Sequence, residues 1–245
     1  MDYREYHFTK RERLLCFLKT LGICIVIAYL CYRSLLAMIL FPLLYVLLLK
    51  RERKQKIAQR KEQLSLEFKE TMQAVSGALT AGYSIENAFK EAQKEIHQLY
   101  GQTSYMEKEL EQMNAKLALN QPLEELLMDF SNRSGLEDVE SFCQVFVFAK
   151  RGGGNFVKII KATVGQISDK LEIKREISTM IASKKLEQKI MQAVPVFILF
   201  YLDLTSPEFL QVLYQNPFGI LVMTVCLLLY IAAMFLAEKI VNISV

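Results

Sequence analysis

Residues 148–159 read FAKRGGGNFVKI, and their glycine triplet is the feature of this sequence that could bind a phosphate. Glycines that open a helix can present backbone N–H groups to an anion. A P-loop, however, follows a strand and contains GxxxxGK[ST], and a dinucleotide-binding loop also follows a strand. Here the preceding segment has helical periodicity, and neither Lys-Ser nor Lys-Thr follows the glycines. We interpret the triplet as a helix-stopping hinge with close backbone packing, and Lys150 and Arg151 as cations that suit the end of a helix.

Three carboxylates, Glu137, Asp138 and Glu140, cluster where the next-to-last predicted cytoplasmic helix begins. A hard cation takes six or more oxygen ligands, so a metal site here would need further ligands from elsewhere in the chain. Acidic side chains in the first turn also favour the helix dipole. The cluster is therefore interpreted as dipole complementarity, and no metal site is predicted.

The remaining reactive side chains do not form a catalytic pattern. His7 and His97 lie far apart in sequence, which disfavours histidine metal sites and Ser/His or Cys/His triads. Asp203 is the only acid within the predicted spans of the second apolar block, whereas an intramembrane protease would need two aspartates or HExxH. Five cysteines without disulfide or zinc spacing are predicted to be packing residues: Cys16, Cys24, Cys31, Cys143 and Cys226. We predict no enzyme activity, cofactor or metal.

The elements that carry these residues include two apolar blocks, one near each end of the chain. Residues 14–49 are almost continuously apolar, too long for one membrane span and just long enough for two short ones. Arg33 and Ser34 mark the turn of a predicted hairpin, and one long tilted span is the alternative. A cleavable signal peptide fits less well, because no small-residue cleavage pattern follows a short apolar core.

The second block contains two further predicted spans, residues 190–204 and 217–237. Pro195 removes a backbone hydrogen bond in the first of them and should kink it. Between them, Ser206 as N-cap and Pro207 at the first helical position predict a short helix at the membrane interface.

The distribution of cations predicts the orientation of these spans. Residues 50–63 contain seven Lys/Arg and two Glu, whereas the loop between the last two spans has neither Lys nor Arg. Positive residues beside spans stay in the cytoplasm. We predict four spans, with the middle of the chain and both termini cytoplasmic. A nucleic-acid role for the basic run is disfavoured, because the run directly follows a span.

The cytoplasmic middle, residues 64–189, is predicted to be all α-helix. Apolar residues recur every three or four positions, as in Leu64, Phe68 and Met72, and sustained alternation is absent. Glycines and caps divide it into six antiparallel helices, the fourth capped by Asn120 and ended by Gly135. The others run at about 64–80, 85–99, 104–118 and 136–150, and a last helix capped by Asn155 continues into the third span.

The resulting organisation is an all-α membrane protein in which about four transmembrane helices flank a cytoplasmic bundle. Its predicted segments are a cytoplasmic N-terminus 1–13, a transmembrane hairpin 14–49, a basic segment 50–63, the helical domain 64–189, a third span 190–204, an outer loop 205–216, a fourth span 217–237 and a cytoplasmic C-terminus 238–245.

Six segments in order resemble the type II secretion system F-domain family, and the last resembles its TadB-like branch. They are LTAGYSIENAF at 79–89, LNQPLEELLMDFSNRS at 119–134, AKRGGGNFVKIIKAT at 149–163, the proline at 195, SPEFLQVLYQNPFGI at 206–220 and EKIVNISV at 238–245. Two positions depart from the pattern, Asn120 where glycine is usual and Asn242 in place of a basic residue. The family-motif positions are Ala81, Gly82, Tyr83, Ser84, Pro122, Arg133, Gly152, Gly153, Pro195, Pro207 and Gly219.

The resemblance implies a multi-pass platform protein of the cytoplasmic (inner) membrane, in a tight-adherence (Flp, type IVc) pilus or related secretion machine. Implied partners are a hexameric secretion ATPase (TadA-like), a second F-domain platform protein (TadC-like), a pilin and the lipid bilayer, in a homo- or hetero-oligomer. The resemblance implies no catalytic residues and no cofactor.

Two other classes share parts of this pattern. An ion-coupled motor or stator subunit also combines short spans with a large cytoplasmic helical region, but it needs paired polar residues along a conduction path. The last two spans offer only Gln192, Asp203 and Thr224, without a paired arrangement. A non-catalytic membrane scaffold without a machine is the second alternative.

Overall fold

A computed structural model describes residues 3–6, 8–29, 41–152, 155–206 and 216–241. Within these ranges the chain forms α-helices and no strand, which confirms the all-α prediction. The helices are α1 Lys10–Ile27, α2 Phe41–Thr80, α3 Ile85–Tyr100, α4 Tyr105–Ala118, α5 Leu123–Ser134, α6 Glu137–Arg151, α7 Phe156–Thr205 and α8 Pro217–Val241.

The chain divides into two compact units. The bundle unit consists of Met1–His7 and Arg53–Ile173, and the second unit of Phe8–Glu52 and Lys174–Val245. The boundaries fall inside α2 and α7, so each of these helices contributes to both units.

Neighbouring helices of the bundle unit are antiparallel. Asn114 of α4 donates its side-chain N–H to the carbonyl of Phe89 in α3, 3.4 Å away. The Cys143 thiol of α6 donates to the carbonyl of Leu127 in α5 at 3.3 Å, and Lys170 of α7 lies 2.8 Å from Asp138 in α6. Each pair joins residues at roughly equal distances from the connection between their helices, as short connections favour.

A continuous apolar core fills the bundle unit. The predicted face of α2 is confirmed, because Leu64, Phe68 and Met72 are each at most 1% exposed. Aromatic rings link the helices, with Phe68 edge-on to Phe142 at 5.8 Å between centroids. Burying one such side chain stabilises the fold by about 1.5–3 kcal/mol.

The first helix of the bundle begins much earlier than predicted. We predicted a start near residue 64, but α2 runs unbroken from Phe41 to Thr80. The basic segment 50–63 contains no glycine or proline, so nothing in it interrupts helical hydrogen bonding. Pro42 lies in the first turn, where its missing N–H costs nothing.

The predicted cap of α5 is also wrong. The N-cap is Pro122, with extended backbone angles, rather than Asn120. Asn120 instead has φ 62° and donates its N–H to the carbonyl of Leu117 at 2.9 Å, just beyond the end of α4. Asparagine enters this left-handed region more readily than other residues with a side chain, which explains asparagine where the resembling family usually has glycine.

The second unit contains α1, the first part of α2, the last part of α7, and α8. Phe17 of α1 packs edge-on against Phe41 of α2 with ring centroids 5.3 Å apart. The Tyr230 hydroxyl of α8 donates to the carbonyl of Gln192 in α7. Large apolar side chains of this unit are widely exposed, among them Phe197 at 70% and Phe218 at 75%.

Among the described residues, one helix is long and apolar enough to cross a membrane, judged by length and composition. It covers Phe218–Ile240 with a mean hydropathy of 2.7. The predicted hairpin turn at Arg33–Ser34 and most of the predicted interfacial helix, including Pro207, lie outside the described residues.

Candidate functional site

Three of the resembling segments meet at one end of the bundle unit, because the helices alternate in direction. This end, called the loop end below, comprises the connections at residues 81–84 and 119–122, together with Gly152 and Asn155, which flank the third connection. The other end contains the connections at 101–104 and 135–136, together with the N-terminal residues 3–6. The α2 and α7 segments of this unit pass out of it at that other end, at Arg53 and Ile173.

The first connection of the loop end is a tight helix-to-helix turn. Gly82 has φ +91°, and its N–H bonds to the carbonyl of Leu79 at 3.1 Å. Tyr83 donates its N–H to the carbonyl of Ala78 at 3.1 Å, which completes a Schellman motif. Ser84 caps α3 by accepting from the N–H of Asn87, as predicted. The turn leaves the Tyr83 side chain 49% exposed.

The second connection joins α4 to α5 and also presents an apolar side chain. Leu119, the residue that ends α4, is 75% exposed. The backbone turns at Asn120 and resumes helical structure after Pro122. Lys150 at the end of α6 lies 2.8 Å from the carboxylate of Glu124, in the first turn of α5. The hydrogen bond from Lys150 holds the pKa of Glu124 below its usual range.

The third connection is the glycine segment. Gly152 donates its N–H to the carbonyl of Phe148 at 2.9 Å, and a side chain at this position would approach that oxygen to 3.2 Å. Its φ of −77° is ordinary, so Gly152 provides close backbone packing rather than a left-handed turn. Gly153 lies outside the described residues. Asn155 accepts from the N–H of Lys158 at 3.1 Å and caps α7, as predicted.

The α6–α7 corner of the loop end is apolar and basic. Phe148 is 74% exposed near the end of α6. The sequence contains no Asp or Glu between Glu140 and Asp169, and four exposed cations lie in that interval. They are Lys150, Arg151, Lys158 and Lys161.

The family-motif arginine lies at the other end, in a buried ion pair. Arg133 of α5 contacts both carboxylate oxygens of Glu109 in α4, at 2.9 and 2.7 Å. Its Nε also donates to Asp129 at 2.9 Å. Glu109 is 1% exposed, so this bidentate pair fastens α4 to α5 inside the bundle unit.

The N-terminal segment joins this ion pair. Tyr3 is 1% exposed, and its hydroxyl donates to Glu109 at 2.9 Å while its N–H donates to the carbonyl of Arg133 at 3.1 Å. Its ring packs edge-on against Tyr105. Residue Tyr3 therefore anchors the N-terminal segment to the other end of the bundle.

Electrostatics keep this cluster charged. Burial alone would raise the pKa of Glu109, but hydrogen bonds from Arg133 and Tyr3 outweigh it and lower the pKa of that carboxyl. Burial, together with the Glu109 charge, raises the pKa of Tyr3, so the phenol stays a neutral donor. The arrangement holds α4, α5 and the N-terminal segment together.

A second buried carboxylate, on α2, caps the N-terminal end of α4. Glu67 of α2 is completely buried and accepts from the Ser104 hydroxyl at 2.9 Å and from the N–H of Met106 at 3.0 Å. The carboxylate thus lies at the positive N-terminal end of α4.

Sequence reasoning missed Tyr3, Glu67 and Glu109. A signal was present for the two acids, because each lies on the apolar face of its helix, Glu67 beside Phe68 and Glu109 beside Leu110. An acid on a core face requires a buried partner. No comparable pattern marked Tyr3.

The other predicted residues are placed as follows. Glu137 and Asp138 pair with Lys170 at 3.3 and 2.8 Å, and the bond to Asp138 raises the pKa of that lysine. No group of three metal-ligating side chains is present among the residues that the structure describes.

Cys143 is buried and has an inert thiol, since burial raises its pKa to about 12. Pro195 lies inside α7, and Gly219 lies buried in the first turn of α8.

The described residues thus form a helical bundle unit and a second unit that contains one helix long and apolar enough to cross a membrane. Residues 71–202, more than half of the chain, match the family described as type II secretion system (T2SS), protein F. The chain belongs to this family, whose members are non-catalytic platform proteins of the inner membrane. No curated protein and no solved structure matches the chain.

Proposed function

We propose that this protein is the TadB-like platform protein of a tight-adherence (Flp, type IVc) pilus or a closely related secretion machine. In this role it couples a cytoplasmic hexameric secretion ATPase (TadA-like) to the assembly of pilin or the export of protein. A second F-domain platform protein (TadC-like) works beside it. The family match over residues 71–202 is the observation that carries this proposal.

The proposed topology has four spans, with both termini and the bundle unit in the cytoplasm. It is supported by the apolar helix Phe218–Ile240 and by the seven cations of the segment 50–63. Topology reporters fused after residues 62, 211 and 241 test it. A cytoplasmic reporter active at the first and third sites and silent at 211 is expected. Activity at 211 would overturn the orientation.

Cross-linked affinity purification from native membranes tests the functional proposal. The tag belongs at the C-terminal end, because an N-terminal tag would disturb the burial of Tyr3. Recovery of a hexameric secretion ATPase, a second F-domain protein and a pilin is the expected result. Recovery of an ion-channel or peptidoglycan-anchored partner without an ATPase would overturn the proposal.

A further inference from the structure

We propose that the loop end of the bundle unit is the surface that docks the cytoplasmic ATPase, and that the ATPase presents an acidic face with an apolar pocket there. This inference rests on the proposed function and adds to it the location of the contact and its chemistry. The surface comprises Tyr83, Leu119 and Phe148 with the cations Arg151, Lys158 and Lys161.

The exposed apolar side chains are the first argument. Leu119 and Tyr83 are 75% and 49% exposed in two of the connections, and Phe148 is 74% exposed in the last turn of α6. The connection at residues 81–84 is fixed by the Schellman turn at Gly82 and the cap at Ser84, and Asn155 caps the start of α7. Aromatic side chains such as Phe148 and Tyr83 are enriched at the cores of protein interfaces, and side chains held by folded elements lose little entropy on binding.

The charge at this end determines the kind of partner. Four cations and no acid lie between Glu140 and Asp169, so the α6–α7 corner attracts carboxylates. Glu124 neutralises Lys150 at 2.8 Å, which leaves Arg151, Lys158 and Lys161 for a partner. A face with several carboxylates around an apolar pocket complements this corner.

A second copy of the same surface fits less well. A two-fold contact would place each corner against an identical patch or its neighbours, and the three cations of the two copies would repel. A phosphate-rich partner such as a lipid surface or nucleic acid also fits less well. Glu86 and Glu125 are exposed at the same end and would face a uniformly anionic layer.

The other end of the bundle unit is already occupied. Tyr3 is buried there against Glu109 and Arg133, and Arg60 lies over the ring of Tyr6 at 4.9 Å. The chain also enters and leaves the unit at that end, at Arg53 and Ile173. The loop end is the end that the described residues leave uncovered by other parts of this unit.

Site-specific photo-cross-linking in the full-length chain tests the inference. A photoreactive amino acid replaces Phe148 or Leu119 in one set, and Leu99, 60% exposed at the other end, in the control. Cross-links to the ATPase from positions 148 and 119 and none from 99 are expected. Cross-links from 148 and 119 to a second copy, to lipid or to nucleic acid instead would overturn the docking surface.

A variant with a reversed charge provides a second test of the docking surface. Phe148→Ser with Lys158→Glu should lower ATPase recovery about tenfold or more, because the variant loses an apolar contact and reverses a charge of the proposed surface. The matched control is Leu99→Ser with Lys108→Glu, which changes the same kinds of exposed residue elsewhere in the unit and should leave recovery unchanged. Equal recovery by both variants would overturn the inference.

The two proposals fail in different ways. If the unmodified chain recovers no ATPase, the proposed function is wrong, and the docking inference falls with it. If the unmodified chain recovers the ATPase and the loop-end variant recovers as much, only the docking inference is wrong. Proteolysis patterns of both variants verify that the bundle unit remains folded.

Discussion

At the scale of single residues, the family-motif arginine acts as a structural clamp. The guanidinium of Arg133 donates to both oxygens of the buried Glu109, and the backbone carbonyl of Arg133 accepts the N–H of Tyr3, so three separate parts of the bundle unit meet at this residue. A buried carboxylate is tolerated only when it is paired and hydrogen-bonded. The geometry meets that condition through Arg133 and Tyr3.

Removing the carboxylate should destabilise the bundle unit strongly. Glu109→Ala leaves Arg133, 25% exposed, without its bidentate partner. We expect a loss of about 2–3 kcal/mol, between the values for exposed and fully buried pairs. Thermal unfolding of the full-length chain in detergent, followed by proteolysis, measures it.

The control for that variant is Asp129→Ala, which removes the other partner of Arg133. Asp129 is 52% exposed and sits one helical turn from the arginine, so the cost should stay below about 0.5 kcal/mol. Equal losses in the two variants would contradict a special role for the buried pair.

The same pair should make stability depend on acid pH. The folded-state pKa of Glu109 is lowered, so its stabilisation is present above the unfolded pKa of about 4.3 and disappears as pH falls toward the folded value. The stability difference between the parent chain and Glu109→Gln should therefore be largest near pH 7 and shrink below about pH 4. A difference that stays constant from pH 7 to pH 3 would argue against this assignment.

At the scale of elements, the turns of the bundle rely on left-handed backbone positions. Gly82 and Asn120 occupy them in two connections of the loop end, and Gly135 occupies one at the other end. Gly135 also accepts the ammonium of Lys61 on its carbonyl at 3.0 Å, which fastens the α5–α6 connection to α2.

Two glycine substitutions separate backbone conformation from packing. A methyl group at Gly82 or at Gly165 would have no heavy atom within 4 Å, but Gly82 has φ +91° whereas Gly165 lies inside α7. Gly82→Ala should cost about 1–2 kcal/mol of unfolding free energy. Gly165→Ala should stabilise the unit by about 0.5–1 kcal/mol.

Denaturant midpoints of the two alanine variants, compared with the parent chain, check this pair. Opposite signs are expected. A Gly82→Ala variant as stable as the parent would mean that the turn adopts another conformation without cost.

At the scale of the whole molecule, α7 runs as one continuous helix from the bundle unit into the second unit. Residues 156–173 belong to the bundle unit and residues 174–205 to the second unit, without a break in the helix at Pro195. In the proposed platform role, force applied to the bundle unit would pass to the second unit along this helix. Pro195 removes one backbone hydrogen bond, but α7 continues on both sides of it, whereas a flexible insertion would end the helix.

Inserting a flexible glycine-serine segment after Ser183 tests this coupling. Pilus assembly or secretion should be lost while membrane insertion and ATPase recovery remain normal. Insertion of an equal number of residues after Gln102, in the exposed α3–α4 connection at the other end of the bundle unit, is the control for added length. Normal assembly with the α7 insertion would refute mechanical coupling through α7.

The sequence by itself determined the helices, most of their boundaries, and the family. Glycines, caps and a period of three to four residues are local signals, so the ends of α3, α4 and α6 fell within two residues of their predicted positions. The early start of α2 was not predicted, because the only local sign of it is that residues 50–63 contain no helix breaker. The left-handed conformation of Asn120 was not predicted, because asparagine is suited both to a helix cap and to a left-handed turn.

Only the tertiary structure decided which distant residues meet. The contacts of Tyr3 with Glu109, 106 positions apart, and of Glu67 with Ser104 depend on how helices pack, which no local pattern encodes. The same holds for the loop end. The sequence predicted each of its three connections. Their position at one end of the bundle unit follows from the alternating direction of six packed helical segments.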